Sequence, residues 1–185
     1  MRLLAKSACR VSKAAILIFM RLSVFLVGLT AFASAAPFIG IKDQSPKLDL
    51  FQQTPFCKTY GCVFRARVVD NATLNVVKTD FGLSKLNDAA VQLEALDGEV
   101  IGLEMNFPLR KSLSQTDLAA MAAMVKLAAG REVQFDYARQ CQNNEPGKPV
   151  DAGKIKGFVF RVNCYRFPGV VDGSWEYNVK AWLPG

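Results

Sequence analysis

The sequence predicts an α+β domain, an antiparallel sheet of about six strands packed against one main helix over residues 114–130. Three observations predict it. Residues 114–130, SQTDLAAMAAMVKLAAG, combine helical periodicity with start and stop chemistry. Upstream, two stretches alternate apolar and polar residues around the turn pairs Asp70-Asn71 and Asp97-Gly98, which reads as two hairpins. Downstream, residues 158–167 and the run from Trp175 alternate again and form a third hairpin.

Residues 1–35 stand outside that domain. Residues 22–32, LSVFLVGLTAF, are apolar and follow five basic residues, Arg2, Lys6, Arg10, Lys13 and Arg21, with no acid among them. Ala33-Ser34-Ala35 then supplies the small-x-small site of a secretory signal peptide, with the cut expected after Ala35 and Ala33 as the second choice. Met20-Arg21 and the apolar run make a complete signal alone, so Met20 is the alternative start. An uncleaved anchor over 14–36 is the competing reading. It places Arg21 inside the span, at about 2.5–3.5 kcal/mol.

The signal changes the meaning of the charge. The chain is +7, but five of its 23 basic residues lie in the signal, leaving 18 against 16 acids, or +2. So small an excess is no argument for nucleic acid. Cys9 leaves with the signal, and Cys57, Cys62, Cys141 and Cys164 remain, an even number that suits an oxidising compartment, periplasmic or extracellular. Of the three pairings, Cys57–Cys62 with Cys141–Cys164 is preferred. A zinc site is disfavoured because neither pair has the usual C-x2-C spacing, and no metal or cofactor is expected.

Residues 36–56 show no steady period and read as an extended N-terminal arm; 57–185 read as the single domain. In the strand from Cys62, Phe64, Ala66 and Val68 face one way and Val63, Arg65 and Arg67 the other. Residues 74–81 return as its partner. Asn71-Ala72-Thr73 matches a glycosylation sequon, but the turn explains the Asn without it. Residues 91–96 and 99–107 form the second hairpin, which Pro108 ends; a short helix over 87–95 is the alternative. Ser114 caps the main helix, Asp117 sits where a capping box needs an acid, Leu113 and Leu118 suit a hydrophobic staple, and Gly130 suits a left-handed stop. Its apolar face is Leu118, Met121, Ala122, Val125 and Ala129. Residues 133–142 fit either a strand or a helix, and a short helix over 134–143 is preferred. Residues 143–156 read as a polar Pro/Gly loop. In the last hairpin Phe158, Phe160, Val162 and Cys164 face inward, as do Trp175, Tyr177, Val179 and Ala181.

The chain has no histidine. That removes Ser-His-Asp and Cys-His catalysis and imidazole metal sites. Glu94, Asp97, Glu99 and Glu104 gather near one hairpin and are the material for a carboxylate hydrolase, yet each also fits a solvent face or a turn. The candidate binding residues are Arg65, Arg67, Arg161 and Lys180, with Tyr165 and Trp182. If their strands are neighbours, they form a basic sheet face for an acidic protein or an anionic envelope component; the plainer reading is a solvated sheet face. The expectation is a small exported, non-catalytic binding or inhibitor-like module. The alternative is a structural or assembly part of the cell envelope, with residues 37–55 as a tether.

Overall fold

The structure, a computed structural model, describes residues 35–42, 48–144 and 146–184. The predicted signal lies outside them apart from Ala35. Among the described residues two short helices, α1 (Asp49–Gln52) and α2 (Pro55–Tyr60), lead into a meander of β1 (Cys62–Asn71), β2 (Val76–Leu83), β3 (Ala90–Leu96) and β4 (Glu99–Arg110). The main helix, α3 (Gln115–Ala129), and a short α4 (Tyr137–Gln140) follow, then β5 (Val150–Ile155), β6 (Phe158–Pro168) and β7 (Trp175–Trp182). All pairings are antiparallel, in the order β1-β2-β3-β4-β7-β6-β5.

The fold is therefore α+β, with seven strands where the sequence suggested six. The extra strand is β5, inside the stretch read as a polar loop. It is a sheet edge, so most of its side chains meet water and its composition stays polar. A tight turn joins it to β6, with Lys156 and Gly157 at φ of 51° and 87°. The same chemistry closes β3 onto β4, with Asp97 and Gly98 at 50° and 74°. The run from 90 is a strand, not the alternative helix. Pro108 does not end β4; Pro108 and Leu109 form an irregularity before Arg110 pairs with Trp175.

α3 starts on a full capping box. Ser114 Oγ accepts from the Asp117 N–H at 3.1 Å, and Asp117 Oδ2 accepts from the Ser114 N–H at 2.9 Å. Arg110 Nε lies 3.6 Å from the same carboxylate. Gly130 ends the helix at φ 69°. The buried face is Ala120, Met121, Met124, Val125, Ala128 and Ala129, with Leu118 and Ala122 only half-buried. The helix is thus rotated slightly from the face its apolar spacing suggested. It packs across β4 and β7 in one core with Phe81, Leu103, Met105, Phe107, Phe160 and Val179. α4 occupies the middle of the predicted 134–143, with Asp136 Oδ1 accepting from the Arg139 N–H. Disulfides join Cys57 to Cys62 and Cys141 to Cys164.

The described residues of 36–56, read as an arm, carry five core side chains: Phe38, Ile39, Leu48, Phe51 and Phe56. The Phe38 and Ile39 N–H groups donate to Leu127 and Ala128 carbonyls at 3.0 and 3.3 Å, satisfying acceptors that the end of α3 leaves open. The Gly40 N–H donates to Val100 O at 2.7 Å. Thr54 caps α2, Pro55 takes its first position and Gly61 stops it at φ 72°.

Candidate functional site

The described helices contribute to one core on one side of the sheet, and the other side carries no described helix, though the segment before β5 reaches it: Asn163 Nδ2 donates to Gly147 O at 3.1 Å, and Asn163 and Asn178 are buried. Alternation puts Arg161, Asn163, Tyr165 and Phe167 of β6 on that open side, opposite Trp182, Lys180, Asn178 and Glu176 of β7. On the far side of β7, Gly102, Glu104 and Asn106 of β4 continue the rows, and Gln92 and Glu94 of β3 extend them. Gly102 leaves room beside Trp182; a side chain at 102 would meet Trp182 Cβ at 3.3 Å.

The polar groups on this face hold one another. Lys180 Nζ lies 3.1 Å from Glu94 Oε2 and 3.9 Å from Glu104 Oε2. Tyr165 Oη donates to Glu104 Oε1 at 3.0 Å. Asn106 Nδ2 donates to Glu176 and to Asn178 Oδ1, and Gln92 Nε2 donates to Asp80 Oδ1 at 2.7 Å. Arg161 Nε lies 3.0 Å from Asp151. The Tyr165 and Phe167 rings meet edge-on at 5.3 Å, and Lys180 Nζ lies 5.9 Å from the Trp182 ring.

Four of the six predicted binding residues, Arg161, Lys180, Tyr165 and Trp182, therefore share one face of two neighbouring strands. Arg65 and Arg67 do not join them. β1 lies four strand spacings from β7, about 19 Å at ~4.8 Å each. A bulge at Arg65 also splits the pair. Phe64 faces Phe81 but Ala66 faces Asp80, so one extra residue reverses the phase. Arg65 lies over the bare backbone of Gly82 on the open side, where a Cβ would fall 2.7 Å from its guanidinium carbon. Arg67 falls opposite Thr79, on the helix side, and Ala66 and Val68 turn to the open side instead of inward. Phe158, read as inward, is 62% exposed.

Nor is the face purely cationic. Lys180 sits between the carboxylates of Glu94 and Glu104, neighbours that only the strand order reveals. The four acids near the β3–β4 turn do not gather as one group, although two of them share a partner. Glu94 and Glu104 hold Lys180, Asp97 accepts from Asn75 Nδ2 at 3.0 Å, and Glu99 lies 3.2 Å from Lys156. Among the described residues no group of three or more Cys, Asp or Glu side chains converges as a metal site.

Burial pushes the Tyr165 phenol well above its ordinary 10.0, and the charge and hydrogen bond of Glu104 push the same way. Burial does the same for Tyr137. Both phenols stay protonated in the fold at pH values where the unfolded chain ionises them. Their contribution is present in full below the unfolded value and is lost as pH rises toward the folded one. Stability measured by denaturant unfolding is expected to fall as pH passes ~10, and to fall less steeply in Tyr165→Phe.

No family model matches the chain, and no curated protein or solved structure is significantly similar to it. Among the described residues no helix is long and apolar enough to cross a membrane.

Proposed function

We propose that the chain is an exported, non-catalytic binding module that engages its partner through the helix-free face of β6 and β7. The observation that carries this reading is the outward row of Tyr165, Phe167, Lys180 and Trp182, in which Glu104 holds Tyr165, Glu94 holds Lys180, and the two remaining rings lie against them. Side chains already held in place lose little freedom on association, and outward Tyr, Trp and Phe are the residue types enriched at interfaces. Because Glu94 and Glu104 offset Lys180, the partner is a protein or envelope component read through ring faces and hydrogen bonds more than through charge alone. Export to the periplasm or the cell exterior, with cleavage near Ala35, is supported by the signal-like residues 1–35 and by both disulfides.

The test is retention of the purified protein on envelope and secreted fractions. Tyr165→Ala combined with Trp182→Ala is expected to weaken retention about tenfold or more, as loss of aromatic anchors does. Val170→Lys, at a position 95% exposed in the β6–β7 connection, is expected to leave it unchanged. Equal retention of both variants would overturn the proposal.

A further inference from the structure

A concave site lies at the end of β7, just past Trp182, and shares no residue with that row. The β3–β4 turn, the β5–β6 turn, the chain after β7 and Lys42 enclose a cleft of about 410 Å³, a volume typical of small-molecule sites. Its apolar lining is Leu96, Ile101, Phe158, Leu183 and Pro184. The Leu183 N–H donates to Ile101 O at 2.9 Å, which fixes the chain after β7 against β4 as one wall. Phe158, the first residue of β6, stands on another wall and is largely exposed.

The charges at the rim are unequal. Lys156 is spent on Glu99 at 3.2 Å and on Gly40 O at 2.7 Å. One oxygen of Asp97 accepts from Asn75. Lys42 is exposed and has no counter-ion among the described residues. An apolar lining with one available ammonium fits a ligand with an aliphatic body and an anionic head.

We infer that this cleft binds a medium-chain aliphatic carboxylate, its chain against Phe158, Ile101 and Leu183 and its carboxylate at Lys42. Asp97 opposes the head, so removing its charge strengthens binding. Each methylene added while the chain still fits removes apolar area from water and tightens binding roughly three- to fourfold.

The experiment is calorimetric titration of the full secreted protein with hexanoate, octanoate and decanoate, and with decanol and decylamine, together with NMR mapping of the decanoate site. Saturable binding that tightens along the acid series is expected, with decanoate above decanol and decylamine weakest, and with shifts at Ile101, Phe158 and Leu183. Lys42→Glu and Phe158→Ala, both at exposed positions, should each weaken decanoate at least fivefold, and Asp97→Asn should tighten it. No saturable binding overturns the inference. So does decylamine binding as tightly as decanoate, a decanoate affinity indifferent to Lys42→Glu, or a footprint on Tyr165, Phe167 and Lys180 in place of Ile101, Phe158 and Leu183. Each result is independent of envelope retention, so either site can fail alone.

Discussion

Phe51→Ala is expected to destabilise the domain by about 3–5 kcal/mol, the cost of emptying a buried aromatic site. Phe51 is fully buried, its ring 5.0 Å from Phe81, 5.5 Å from Phe38 and 6.0 Å from Phe56. It therefore links the segment before β1 to the sheet. Were residues 36–56 a free arm, the same change would fall within about 0.5 kcal/mol of zero, as surface substitutions do. Denaturant unfolding separates the two outcomes. A lower midpoint with the same slope is the signature of lost packing. Phe56→Ala is expected to act in the same direction. Leu50→Ala, whose side chain is nearly half exposed, should not.

Loss of the Cys141–Cys164 bond should come next. Loop-closure entropy puts the stabilisation at about 3.4 kcal/mol for its 23-residue separation, against about 2 kcal/mol for the five residues of Cys57–Cys62. Both sulfurs of the longer bridge are fully buried, and Cys141 Sγ lies 3.8 Å from Met121 Sδ of α3. The bond thus ties the chain after α3 to β6 at the level of the core. Replacing both cysteines of each pair by Ala, in separate proteins, should reproduce that order in unfolding free energy. An equal or reversed order would mean that the segment after α3 is held by its packing and not by the bridge.

Much of this fold is legible where its cause is local. Ser114, Asp117 and Gly130 announce the two ends of α3 because capping is decided within one turn of chain. Asp97-Gly98 announces the β3–β4 turn because few residues accept two consecutive positive φ angles. Thr54, Pro55 and Gly61 carry an equally local message for α2, but it is masked by the aperiodic, proline- and glutamine-bearing stretch around it. The core role of Phe38, Ile39 and Phe51 is not legible, because these side chains meet Phe81, α3 and β4 only after the sheet has formed.

The candidate site divides along the same line. Alternation alone puts Arg161, Tyr165 and Phe167 on one face of β6, and Lys180 and Trp182 on one face of β7. Their adjacency follows from a hairpin, which is a local event. Arg65 and Arg67 were joined to them by an assumption about strand order, which depends on β4 pairing with β7 across some seventy residues. The bulge at Arg65 has no marker in its own residues, since Phe64-Arg65-Ala66-Arg67 alternates as a regular strand would. The acids that offset Lys180 come from β3 and β4, and only the register shows them as its neighbours.

The most direct test of the central claim is site-specific photo-crosslinking in the producing cell. A photoreactive residue at Trp182, on the open face of β7, is expected to capture one defined partner. The adduct should disappear when Tyr165→Ala is added, and the same probe at Val63, on the distant strand β1, should not form it. Adducts that are identical from positions 182 and 63, or an adduct at 182 that is indifferent to Tyr165→Ala, would contradict the assignment of binding to the helix-free face.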